Sequence, residues 1–202
     1  MQGPITALIF FISAPTSVIQ LTVFSNQPAV QFYSGQYLKY VSKNKRLKAL
    51  VTTGPTREYL DPIRYFSNES SGKQGYEVAL ALNKLGIKTK LIAGPSKFTP
   101  SNNLKIKNIV TAKEMFNEVK KSLPVDIAVC AAAVSDFRPK NKKLNKIKKN
   151  TANIEKIYLE KNPDILDFLG KNNKSRPKIV VGFSAETENL IENSKLKIKE
   201  KY

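Results

Sequence analysis

Asn68 stands inside the segment GPTREYLDPIRYFSNESSGKQG, Gly54 to Gly75. Its amide can donate to a developing oxyanion and has no pKa to manage, although most loop asparagines only build turns. Ser70, Ser71 and Gly72 follow just before a helix-forming stretch. Their hydroxyls and the first-turn N–H groups could hold an anion against the helix dipole, and an ordinary serine cap explains the same residues equally well. The segment is not a Walker A loop, which needs glycine where Ser67 stands and Ser or Thr where Gln74 stands, and no GxGxxG occurs.

A second constellation is DIAVCAAAVSDFRP, Asp126 to Pro139. Its small residues Ala131 to Ala133 would let a ligand press on the backbone. Asp136 falls just past the end of an apolar run, where a carboxylate can bind a ribose hydroxyl or Mg²⁺; tight helix packing and a turn aspartate are the plainer alternative. In the following RPKNKKLNKIKK, Arg138 to Lys149, 7 of the 12 residues are basic and none is aromatic. Single-strand nucleic-acid platforms interleave aromatics with charge, so a mobile loop that clamps a triphosphate fits better than an RNA tract; a solvated loop is the bland alternative. Near the end of the sequence Lys197 and Lys201 share one helical face if that segment is a helix.

Composition narrows the chemistry. The 202 residues carry 34 Lys and Arg against 16 Asp and Glu, a formal charge of +18, and no histidine. The charge favours anionic partners without choosing among nucleic acid, lipid headgroups and phosphorylated small molecules, and a lysine-rich coding bias would produce it too. The missing histidine excludes Ser/His/Asp and Cys/His nucleophile pairs and histidine-ligated metals. Cys130, the single cysteine, sits in an apolar run, fits a reducing compartment and reads as a buried thiol.

The elements that must position these residues begin at Lys45. Before it, residues 1 to 38 hold no charged side chain. Ser13, Pro15, Thr16 and Ser17 interrupt that stretch and no basic residue precedes it, so it lacks the marks of a signal peptide or membrane span and reads as an unassigned leader over 1–44, disordered or left from a lost upstream domain. From there apolar runs of strand length alternate with amphipathic segments. Strands are expected at Lys48–Thr53, Thr89–Ala93, Asp126–Ala132 and Ile179–Phe183. Helices are expected at Lys73–Leu85 before Gly86, from a Thr111/Glu114 capping box to Leu123, from an Asn162 cap with Pro163 at its first position to Gly170, and from about Thr187. This alternation predicts an α/β fold, a Rossmann-like doubly wound, mostly parallel sheet with ligands beyond the carboxyl ends of its strands. Two of those connections, Gly54 to Gly72 and Ser135 to about Lys161, are long enough to be functional or disordered.

Five ordered blocks, VTTGPTREYLDPIRYFSNESSGKQGYEVA, AAAVSDFRP, KIKK, KNPDIL and VVGFSAETEN, together resemble the phosphopantothenate-cysteine ligase (phosphopantothenoylcysteine synthetase) domain of bacteria, usually fused behind a flavin-dependent decarboxylase. The resemblance implies that CTP and Mg²⁺ activate the 4'-phosphopantothenate carboxylate as an acyl-cytidylate, from which the amine of cysteine displaces CMP. It implies that Asn68 handles the acyl-cytidylate, Ala132 and Ala133 contact it through their backbones, and Asp136 serves the nucleotide and its Mg²⁺. Lys146 would reach the phosphates, Pro163, Asp164, Ile165 and Leu166 would line the cytosine, Phe183 would pack at the nucleotide, and Lys197 and Lys201 would hold the triphosphate.

It further implies a cytoplasmic homodimer that uses small-molecule substrates, with no nucleic acid and no membrane. Residues 45–202 would be the ligase-like domain, truncated at its C-terminus, with the sheet incomplete there and its last strand left with an open edge. Residues 1–38 match nothing in the decarboxylase, so no flavin is expected. An inactive remnant and a basic anion- or nucleic-acid-binding module are the competing readings.

Overall fold

The computed structural model of the chain describes residues 7–14, 17–24, 47–96, 104–148, 156–171, 174–186 and 196. Its elements in chain order are β1 (Ala7–Ala14), β2 (Ser17–Phe24), β3 (Lys48–Thr53), β4 (Glu58–Tyr59), β5 (Tyr65–Phe66), α1 (Lys73–Lys84), β6 (Lys88–Ala93), β7 (Lys105–Asn108), α2 (Ala112–Ser122), β8 (Ile127–Cys130), β9 (Phe137–Pro139), β10 (Leu159–Lys161), α3 (Ile165–Lys171) and β11 (Ile179–Glu186). Seven strands form one sheet in the order β2-β1-β11-β8-β3-β6-β7. From β11 to β7 every pairing is parallel.

Successive residues of the inner strands divide between two apolar layers. Ala49, Val51, Leu91, Ile127 and Val129 pack with Tyr76 and Ala79 of α1. Leu50, Ile92, Ala128 and Val180 pack on the other face with Met115 and Val119 of α2 and Ile165 and Leu169 of α3. A strand covered on both faces must be apolar at consecutive positions, which is why the middle of β3 reads as an unbroken run instead of alternating. Each fully buried Leu, Ile or Met contributes roughly 1.5–3 kcal/mol relative to exposure.

Taken in chain order, the five parallel strands lie third, second, first, fourth, fifth across the sheet. The direction of winding therefore reverses between β3 and β8, and the crevice beyond their carboxyl ends is where such a sheet receives a ligand. The two long connections leave from these two strands. Each folds back as a small antiparallel hairpin, β4 with β5 and β9 with β10, and neither hairpin was evident in the sequence.

The expected strands all form, at Lys48–Thr53, Lys88–Ala93, Ile127–Cys130 and Ile179–Glu186. So do α1, ended by Gly86 at φ +81°, and the Thr111/Glu114 capping box of α2. The third helix differs. It begins at Ile165, and the side chain of Asp164, not of Asn162, accepts from the Asp167 N–H at 2.8 Å. Asn162 is engaged elsewhere, and Pro163 precedes the helix. The helix expected from Thr187 lies outside the described residues except for Leu196, which is helical.

The uncharged stretch expected as a leader supplies two strands. β1 runs antiparallel along β11 from Ala7 opposite Glu186 to Ser13 opposite Val180, and β2 pairs with β1. The edge of β11, expected to be open, is thereby hydrogen-bonded. Among the described residues no helix is long and apolar enough to cross a membrane.

At the opposite end of the sheet one carboxylate gathers three strand starts. Asp126 accepts from the Lys48 N–H at 2.9 Å and pairs with the Lys178 ammonium at 3.2 Å, while its own carbonyl accepts from the Ile179 N–H at 3.0 Å. Burial alone would raise its pKa, but the Lys48 N–H and the Lys178 ammonium hold the carboxyl below its usual range. A depressed folded pKa stabilises above the unfolded value of about 3.9, and that contribution is lost as pH falls through the folded pKa. Asp126→Asn is expected to lower stability at pH 7 by about 1 kcal/mol. The deficit should shrink in denaturant melts at pH 3; an equal deficit at both pH values would show that the charge is not what matters.

Candidate functional site

Beyond their last paired residues, β3 and β8 continue side by side as loops. The Ala131 N–H donates to the Thr52 carbonyl at 3.1 Å, the Ala133 N–H to the Gly54 carbonyl at 2.9 Å, and Pro55 and Ala133 form a parallel bridge. The Thr56 hydroxyl, fully buried, accepts from the Ser135 N–H at 3.1 Å. Thr52, near the carboxyl end of an otherwise apolar strand, and Thr56, just beyond it, are thus fasteners for the second loop.

The turn out of β3 is possible because three glycines share a small space. Gly54 and Gly72 both adopt φ +75°, a conformation that side chains disfavour. A Cβ on Gly94, which follows β6, would lie 1.8 Å from the Pro55 carbonyl oxygen. The Thr53 hydroxyl donates to the Gly72 carbonyl at 2.6 Å, and so brings the start of α1 against the end of β3.

Asn68 is exposed, and its amide donates to the Val134 carbonyl at 3.0 Å. The residue from the first long connection therefore rests on the second, within two residues of Ala132, Ala133 and Asp136. The hydroxyl of Ser67 fixes this approach by donating to the Thr56 carbonyl at 2.8 Å. Asp136 is exposed, while its backbone carbonyl accepts from the Asn162 N–H at 2.8 Å. The Asn162 amide donates to the Ser135 carbonyl at 2.8 Å, and its oxygen accepts from Arg138 at 3.0 Å. This is why Asn162 does not cap α3: it joins the segment Pro163 to Leu166 to the Asp136 loop.

Phe183 follows Gly182, which is paired with Cys130 in β8. A Cβ on Gly182 would lie 2.5 Å from a methyl of Leu166. Asn68, Ala132, Ala133 and Asp136 are thus gathered at the carboxyl end of β8, with the strand carrying Phe183 and the start of α3 beside them. The Cys130 thiol is pushed up to about 12 by burial, with the Asp164 carboxylate adding to the effect, so it is no nucleophile at neutral pH.

Other expected residues are placed differently. Ser70 and Ser71 accept, at 3.3 Å, from the N–H groups of Gly72 and Lys73, so donors thought available for an anion are already met by the chain's own serines. Lys146 is exposed in the wall of a cavity of about 690 Å³ that it shares with Lys142, Lys143, Lys148 and Lys156, and none of Asn68, Ala132, Ala133 or Asp136 lines that cavity. Lys197 and Lys201 lie outside the described residues. Thr56, Ser135 and Gly94 were missed, and Asn162 was read only as a helix cap; polar or glycine residues interrupting apolar runs at strand ends were the available signal.

Among the described residues no group of three or more His, Cys, Asp or Glu gathers around a metal position. Mg²⁺ needs no such cage, since it takes one or two carboxylates and completes its shell with water and phosphate oxygens. An exposed Asp136 fits that pattern.

The family described as DNA/pantothenate metabolism flavoprotein C-terminal domain matches residues 44–202. Among curated proteins the chain is similar to the coenzyme A biosynthesis bifunctional protein CoaBC of Borreliella burgdorferi, 43% identical over 85% of this chain and 43% of that protein. The protein of the same name from Haemophilus influenzae is 41% identical over 77% of this chain and 38% of its own length. The chain thus spans about two fifths of the length of these relatives. Among solved structures, the C-terminal domain of the coenzyme A biosynthesis bifunctional protein CoaBC superposes with a TM-score of 0.61 at 32% identity, covering 77% of this chain and 72% of that one.

The close approach of Gly94 to Pro55 is testable by itself. Gly94→Ala is expected to cost roughly 2–3 kcal/mol in chemical denaturation. Gly86→Ala, where a Cβ meets nothing within 4 Å, carries only left-handed strain of about 1 kcal/mol. Equal losses would contradict the contact between these loops.

Proposed function

The chain belongs to the family of the DNA/pantothenate metabolism flavoprotein C-terminal domain, and from that premise we propose that residues 45–202 catalyse CTP-dependent ligation of 4'-phosphopantothenate to L-cysteine through an acyl-cytidylate. The phosphopantothenate carboxylate attacks the α-phosphorus of CTP and releases pyrophosphate. The cysteine amine then attacks the acyl carbon, forming the amide of phosphopantothenoylcysteine with loss of CMP. Mg²⁺, held by Asp136 and the triphosphate, would neutralise phosphate charge.

The observation that carries this reading is the amide of Asn68 resting on Val134, beside Ala132 and Ala133, in the crevice where the winding of the sheet reverses. A neutral donor beside small side chains at that point suits a mixed anhydride, whose charge develops on a carbonyl oxygen. No side-chain nucleophile is required, in keeping with a chain that has no histidine and one thiol pushed up to about 12. Catalysis then rests on positioning and on preorganised donors. Pro163 to Leu166 and Phe183 are assigned to the nucleotide, and Lys146, Lys197 and Lys201 to its phosphates.

A homodimer in the cytoplasm completes the proposal. The β4–β5 and β9–β10 hairpins are neighbours, and Tyr65, Phe66, Phe137, Tyr158 and Leu159 on them are exposed by 39% to 69%. Apolar exposure of that kind on adjacent hairpins suits a second copy of the chain.

Purified protein given phosphopantothenate, CTP and Mg²⁺ is expected to release pyrophosphate, and to convert to product only when cysteine is added. Asn68→Ala should reduce turnover about a hundredfold or more while CTP still binds. A folded protein that releases no pyrophosphate, or an Asn68→Ala variant as fast as the parent, would remove this reading.

A further inference from the structure

Asp61 has no part in the chemistry above, yet its side chain is fully buried between the two long connections. One carboxylate oxygen accepts from the N–H groups of Ile63 and Arg64, both at 2.8 Å. The other accepts from the Ile147 N–H at 3.2 Å and faces the Arg64 guanidinium at 3.5 Å. Arg64 in turn donates to the Ile147 carbonyl at 3.1 Å, and the Lys143 N–H donates to the Leu60 carbonyl at 2.9 Å. The Lys142 ammonium lies 5.4 Å over the ring of Tyr59.

The basic segment expected as a mobile clamp is therefore seated on residues 59–64, and its fixed point is the residue next to Lys146. The same carboxylate holds the turn into β5, which leads within two residues of its end to Asn68. Three N–H donors and a guanidinium converge on a group that only accepts, so an amide in its place would turn donors against donors. Burial alone would raise the pKa of Asp61, but the three backbone N–H groups and Arg64 hold it below the usual carboxylate range.

We propose that Asp61 is a positioning residue that fixes Lys146 relative to Asn68, with one carboxylate oxygen on each of the two connections that carry them. The inference rests on the ligase reading for its kinetic consequence, but its structural half stands alone. Asp61→Asn is expected to raise KM for CTP about tenfold and to leave KM for phosphopantothenate within about twofold. In a Lys146→Ala background the same substitution should have no further effect on KM for CTP, because both changes act through one contact. Tryptic cleavage after Lys146 and Lys148 should be about tenfold faster in Asp61→Asn under native conditions.

An unchanged KM for CTP, or full additivity with Lys146→Ala, overturns the proposal. Should Asp61→Asn not fold, Arg64→Ala removes the guanidinium's bond to Ile147 and its contact with Asp61 from a half-exposed side chain while leaving the backbone donors to Asp61 in place, and it must show the same coupling to Lys146; additivity there overturns the proposal equally. A wild-type chain that releases no pyrophosphate overturns the ligase reading instead, and the cleavage rates then decide the clamp.

Discussion

The pairing of β3 with β8 does not stop where their strands end, and the site is built on that continuation. Two parallel strands can keep their loops together only if the backbones stay within hydrogen-bonding distance while each chain turns away toward its helix. Gly54, Gly72 and Gly94 supply the room, and Thr52, Thr53 and Thr56 supply the fastening. Displace this junction and Asn68 has no carbonyl of Val134 to rest on, while the loop from Ala132 to Asp136 loses its fixed partner. The chemistry proposed for the crevice thus depends on a backbone contact that no side chain could replace.

Charge is distributed with a division of labour. With 34 basic and 16 acidic residues, the basic side chains outnumber the carboxylates by 18. The buried carboxylates are structural: Asp61 joins the two connections, and Glu58 accepts from the Ala112 N–H at the start of α2 at 2.8 Å; the partly buried Asp126 gathers the starts of three strands. The partly buried Glu118 pairs with Lys90 beside Ser122. The net positive charge attracts phosphorylated ligands over long distance without saying which of them is bound.

The inner strands were legible because each is short, apolar and bounded by glycine, proline or polar residues, and the helices because their caps are chemical: a threonine three residues before a glutamate, a glycine that takes φ +81°. Asn68, Ala132, Ala133 and Asp136 were legible as neighbours through the topology that alternation implies. The two hairpins were not, since strands of two or three residues have no period to detect. Asn162 misled because asparagine before proline is a good cap by local rules, and only the tertiary partners Ser135 and Arg138 reveal its other use. Asp61 carried no signal in the sequence, because its second oxygen reaches 86 residues along the chain, beyond any local rule.

The β1–β2 hairpin on the edge of β11 joins the earliest described strand to the latest, Ala7 opposite Glu186. Loop-closure entropy makes so distant a pairing late to form, after the five parallel strands have found one another. On a ribosome the order is starker: the uncharged hairpin emerges before β3 to β10 and stays without its partner β11 until all of those elements have been made. During that interval it is an apolar ribbon with unpaired backbone, the kind of species that a holdase chaperone retains and that crowding drives into aggregates. A seam that seals the finished sheet is thus also the part of the molecule most dependent on the timing of its own synthesis.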